Sequence, residues 1–119
     1  MSAELDITIE RYRDFTFAVV VDTELDNPFG MGGYTCVMTV KALVTDTDAA
    51  ALYHSVPTSG SLSFGQMSWL IPHSTTGSSG WAITSAVYDV AVQTPAGQRN
   101  TFLNGAVTIT MPTTQTAFP

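Results

Sequence analysis

Hydrophobic and polar positions alternate along much of this chain with a period of two, the signature of half-buried strands. Leu5, Ile7 and Ile9 alternate with Asp6, Thr8 and Glu10, which predicts a first strand. Residues 12–14 read as a turn. The run over 15–21 places Phe15, Phe17, Val19 and Val21 on one face and Thr16, Ala18 and Val20 on the other. A strand apolar on both faces predicts a central or covered position. Breakers at Asn27-Pro28, Gly30 and Gly32-Gly33 make 22–33 a loop, and 34–43 is the next strand.

Residues 46–53 are the one stretch that could start a helix, at most two turns, with Asp46 or Thr47 as its cap. A turn at 57–60 leads to a short strand near 61–64 and a longer one over 66–71, where Met67, Trp69 and Ile71 share a face. Residues 72–80 are rich in Ser, Thr and Gly and predict a polar loop. The clearest late strand is 86–92, with Tyr88, Val90 and Val92 inward. Pro95 and Gly97 set a hairpin turn into 99–103, and Asn104-Gly105 predicts a bend or bulge before 106–111. Seven or eight short strands separated by turn signals predict an all-β fold, a single antiparallel β-sandwich. The sandwich domain spans 1–111, and 112–119 reads as an extended C-terminal arm.

Composition agrees with one β domain. The chain has 119 residues, and its polar surface is supplied by 18 Thr and 10 Ser in place of charge, which is only 12% of the sequence. Ten acids against four cations give a net charge of −6. Nucleic-acid affinity rests largely on Lys and Arg, so no nucleic-acid partner is expected, nor an anionic membrane surface. Residues 1–6 are acidic with no apolar stretch, so no targeting segment is expected. Cys36 alone forms no internal disulfide, which suits synthesis in a reducing cytoplasm.

Each candidate for chemistry has a plainer reading that fits better. Asp22, Glu24 and Asp26 suggest calcium, but Asn27 and Gly33 stand where an EF-hand needs Gly and Glu. Asp46 and Asp48 suit helix capping. The glycines at 30, 32 and 33 lack the Lys and helix of a phosphate cradle. His54, His73 and Cys36 match no zinc spacing, and no nucleophile elbow supports a triad built on a His and Asp89. No catalytic residue, cofactor or metal is therefore expected, and the chain does not read as an enzyme. Asp89 reads as a solvent-face or edge-bonding residue. Trp69 and Tyr88 belong to the core. Trp81, placed after the polar loop, is expected to be partly exposed and to anchor an interaction. Phe29 is a weaker contact candidate, and Phe118 in the arm could enter a partner's groove.

One order of motifs goes beyond fold class. Asp6-Ile-Thr-Ile9 leads into Arg11 to Phe15, and Gly33-Tyr34 opens Met38-Thr-Val40-Lys41. Ser68-Trp69-Leu-Ile-Pro72, Val87-Tyr88-Asp89-Val90, Thr94-Pro95-Ala-Gly97 and 99–107 follow. This order resembles an immunoglobulin-like β-sandwich of tailed bacteriophages, found in upper-baseplate and tail-fibre-type proteins and as stand-alone virion proteins. The resemblance implies a virion structural protein, an assembly or attachment block of the tail, baseplate or fibre apparatus. It implies other virion proteins and copies of itself, as a homo-oligomer, for partners. A capsid decoration protein and a carbohydrate-binding or adhesin module are the alternatives.

Overall fold

A computed structural model describes residues 3–20, 33–60 and 65–113. Among these, eight strands form two sheets. They are β1 (Ala3–Glu4), β2 (Ile7–Glu10), β3 (Phe15–Val20), β4 (Thr35–Lys41), β5 (Tyr53–Ser55), β6 (Gln66–Ile71), β7 (Ser85–Gln93) and β8 (Arg99–Thr110). The larger sheet runs β1-β8-β7-β4-β5, with β2 also on β8, and the smaller sheet is the antiparallel pair β3-β6. Apart from β1 and β2, which lie parallel to β8, every strand pairing is antiparallel. The fold is thus an all-β sandwich, and the expected strands at 66–71 and 86–92 are present.

The inward faces follow the predicted alternation. Met67, Trp69 and Ile71 of β6 and Met38 and Val40 of β4 are essentially inaccessible. Tyr88 and Val90 of β7 and Phe17 of β3 join them. Phe17 links the two sheets through Tyr88, whose ring lies edge-on at 5.7 Å, and packs within the small sheet against its cross-strand partner Trp69 at 6.4 Å. Such pairs contribute about 0.5–1.5 kcal/mol beyond the area they bury. Trp69 satisfies its indole N–H on the Ser55 carbonyl at 2.9 Å.

At the N-terminus the chain leaves β1, skips two residues and re-pairs as β2 with the same offset. Ala3 opposes Leu103 and Ile7 opposes Val107. In the gap, Asp6 accepts the Ala106 N–H at 3.0 Å, a side chain replacing the missing backbone carbonyl. The Tyr88 hydroxyl donates to the Leu5 carbonyl at 2.5 Å. A Cβ on Gly105 would collide with that carbonyl and crowd the Tyr88 ring at 3.1 Å, so Gly105 is required for close approach. Burial, and after it the charge of Asp6, pushes the Tyr88 phenol up to about 12, so it remains a donor at any physiological pH.

Several expectations are corrected. No bend occurs at Asn104-Gly105, because β8 is continuous over twelve residues. The bulge lies earlier: Val90 opposes Leu103 but Ala91 opposes Thr101, leaving Phe102 as the extra residue. The 46–53 stretch holds only a 3-10 turn, Asp48–Ala50, before Tyr53 enters β5, since Leu52 N–H bonds the Val40 carbonyl and pulls the chain into the sheet. The polar loop at 72–80 instead contains a helical turn, α1 (His73–Thr76), and a 3-10 turn, Ser79–Trp81. β3 is not covered on both faces: Val20 is 61% exposed. The strand expected near 61–64, the 22–32 part of the loop and arm residues 114–119 lie outside the described residues.

Gly105→Ala should cost about 3 kcal/mol, because the added methyl meets backbone that cannot turn away. Gly80→Ala, whose Cβ would meet only a Leu52 methyl at 3.4 Å, should cost far less. Urea melts of both variants measure the difference, and equal costs would contradict the close approach at Leu5.

Candidate functional site: the outer face of the large sheet

The register of the large sheet carries one polar row straight across five strands. Glu4 opposes Asn104, Asn104 opposes Asp89, Asp89 opposes Thr39, and Thr39 opposes His54. Opposed residues share a face, and the strand period places this row on the face turned away from the core. The rows to either side are small or aliphatic: Val37, Ala91 and Thr101 on one, Val87 and Ala106 with Lys41 on the other. Together they floor a shallow groove of about 860 Å³. Val44, 77% exposed, stands on its lip.

Most polar groups in the groove have partners. Thr39 Oγ1 and His54 Nδ1 form a hydrogen-bonded pair at 2.9 Å. Lys41 Nζ lies 2.8 Å from Asp48 Oδ1, and Arg99 Nε donates to Gln93 Oε1 at 2.6 Å. The Lys41 ammonium holds the Asp48 carboxyl below the usual carboxylate range. Asp89 differs. It is half-buried at the centre of the row, and burial pushes its carboxyl up, with the Asp48 charge adding to the shift and the Lys41 and His54 charges opposing it.

A second polar cluster, at one end of the sandwich, is structural. Arg11 is 4% exposed and donates to three carbonyls, Nε to Thr76 at 3.1 Å and Nη2 to Gly77 and Ser78 at 3.0 Å each. Its guanidinium also lies 4.9 Å from the centre of the Tyr12 ring. Thr76 Oγ1 donates to the Arg13 carbonyl, and Asp14 accepts the His73 N–H at 2.7 Å. The His73 bonds hold the Asp14 carboxyl below its ordinary value. These bonds fold residues 73–81 into helical turns where composition suggested an open loop.

The expected contact residues fare differently. Trp81 is 1% exposed, which corrects its placement as a partly exposed anchor: the turns clamped by Arg11 aim the indole into the core. Phe29 and Phe118 lie outside the described residues. Asp46 and Asp48 do not cap a helix. Asp46 Oδ2 accepts the Leu43 N–H at 3.1 Å, and Asp48 takes the ion pair with Lys41. Asp89 sits on the solvent face of β7, as expected. His54, His73 and buried Cys36 stand apart, and no group of three or more His, Cys, Asp or Glu gathers for a metal among the described residues. Burial pushes the Cys36 thiol up, away from reactive thiolate. The polar row and the buried arginine were missed in the sequence. The row needs strand register, and the arginine's partners are 65 to 67 residues away.

No protein-family profile matches this sequence, and no curated protein does. Solved structures do share its fold. The N-terminal domain of phage TP901-1 ORF48 superposes with a TM-score of 0.51 at 7% identity, over 87% of this chain and 83% of that one. Tim-1 superposes with the same score at 12% identity, over 96% of this chain and 98% of that one. At such identities the likeness concerns architecture: the sandwich is immunoglobulin-like.

Asp89→Asn should change stability in a pH-dependent way. The fold favours the protonated carboxyl, so its contribution is full below the unfolded-state pKa, about 3.9, and is lost as pH rises through the raised folded value. The variant should match the natural chain in acid and become the more stable of the two towards neutrality. Urea melts between pH 3 and 7 measure this, and a gap that widens in acid would contradict it.

Proposed function

We propose that this chain is a structural protein of a bacteriophage virion, an assembly or attachment block of the tail, baseplate or fibre apparatus, with no catalytic role. The observation that carries this reading is the order of motifs from Asp6 to Val107, and the likeness of nearly the whole sandwich to a domain of a phage protein agrees with it. Tim-1 superposes equally well, so fold alone is neutral. That order of motifs tips the balance towards phage, since it resembles phage sandwich modules and runs from β2 to β8. The surface suits assembly as well. Hydroxyls supply much of its polarity, and desolvating Thr or Ser at a subunit contact costs less than desolvating Lys or Glu. Its partners are other virion proteins and further copies of itself, in keeping with the symmetry of tail machinery. Its site of action is the particle.

Quantitative mass spectrometry of density-purified particles tests the reading. A few dozen copies or fewer per particle, counted against the major capsid protein, are expected of a tail, baseplate or fibre part. Hundreds would make the chain a capsid decoration protein. Absence from particles would overturn the virion reading and favour a carbohydrate-binding module.

A further inference from the structure

The outer face of the large sheet carries a recognisable demand. Lys41, Asp48, Arg99, Thr39 and His54 are all engaged within the chain. At the centre of the same face the Asp89 carboxylate has no hydrogen bond or ion pair among the described residues. Its neighbours along β7 on that face are Val87 and Ala91, and across the sheet Thr39 and Asn104; Lys41, one row away opposite Val87, acts on Asp89 by its charge but is held at 2.8 Å by Asp48. Small side chains on both flanks leave room above the carboxylate. Their aliphatic surfaces suit the methylene stem of a long basic side chain, whose charged head would reach Asp89.

We propose that this face docks an extended basic segment of a neighbouring protein, one arginine or lysine of which seats on Asp89. Naming a protein as the occupant rests on the assembly reading above. Charge complementarity selects a basic occupant: the chain carries −6 overall, and an incoming cation meets long-range attraction as well as the central carboxylate. Burial of Asp89 makes its charge costly while the face is open, and a seated cation removes that cost. A second copy fits poorly. Two chains of net charge −6 repel each other, and of the four cations in each, Arg11 is buried, Arg13 lies by Glu10, Lys41 is held by Asp48, and Arg99 on this same face already donates to Gln93. A sugar fits poorly too, because among the described residues no exposed aromatic ring lines this face and the Tyr88 ring is turned to the core.

The test is an NMR titration of the uniformly ¹⁵N-labelled full chain. The probe is the blocked peptide acetyl-Thr-Arg-Thr-Lys-Thr-amide, whose two cations share one face when extended. A peptide with Glu at both charged positions and maltohexaose serve as comparisons. Saturable shifts are expected at Val37, Thr39, Asp89, Ala91 and Asn104, fading as salt is raised. Asp89→Asn should weaken binding about tenfold, the loss of one charge-assisted hydrogen bond. Ala91→Arg, which places a cation beside the carboxylate, should block the peptide as well, so the test does not depend on one variant folding. Binding that survives both substitutions, shifts spread over other surfaces, or a response to maltohexaose alone would overturn the proposal. The two readings fail separately. Peptide binding by a chain absent from particles would leave the docking face standing without the virion role, and a particle protein that ignores the peptide would do the reverse.

Discussion

The Tyr88 hydroxyl, bonded to the Leu5 carbonyl, sits where three parts of the sandwich meet. Strands β1 and β2 are short, parallel to β8 and tied to it by no hairpin, so pairing alone holds them weakly. Tyr88 anchors the gap between them from below, and Asp6 completes the ladder from the side through the Ala106 N–H. The same ring contacts Phe17 and so reaches the other sheet. Gly105 gives the space that lets Leu5 come this close. Immunoglobulin domains of antibodies join their sheets by a disulfide between facing strands. Here the edge-on contact of Phe17 with Tyr88, backed by Trp69 beside Phe17, spans the sheets in a chain whose single cysteine forms no such bridge.

That internal arrangement leaves the opposite face of β7 and β8 free of structural duty. Large residues point inward at Tyr88, Val90 and Leu103, while Val87, Asp89 and Ala91 point outward into the shallow groove. Arg11 works at the far end in a similar spirit. By satisfying the carbonyls of Thr76, Gly77 and Ser78 it replaces water around a short helical segment. The backbone acceptors of residues 76–78 are thereby filled, and Trp81 completes the core beneath them.

Much of the sandwich was legible in the sequence. Period-two alternation located the strands around Ile9, Phe17, Trp69 and Tyr88 and assigned most of their inward residues, because burial on one face is what that pattern encodes; Leu5 is the exception, half exposed in the gap between β1 and β2. Local composition misled where a distant partner overrides it. Residues 73–81 look like a solvated loop until Arg11 is counted, and Asp48 looks like a cap until Lys41 is seen beside it. Trp81 was misplaced for the same reason. The polar row from Glu4 to His54 is a product of register across five strands, which no single segment contains. Asp89 was readable as outward-facing, but its lack of a partner only becomes visible once Thr39 and Asn104 are set on either side.

Native-state hydrogen exchange on Tyr88→Phe probes the role of the Tyr88 hydroxyl at this edge of the sandwich. Removing one hydroxyl leaves the aromatic packing in place and takes away only the bond to Leu5. Faster exchange is expected first at the amides of Leu5, Ile9 and Arg11, which tie the N-terminal strands to β8, with β4 and β7 protected as before. Equal acceleration across both sheets, or none in the N-terminal strands, would contradict the claim that Tyr88 holds the sandwich closed at that edge.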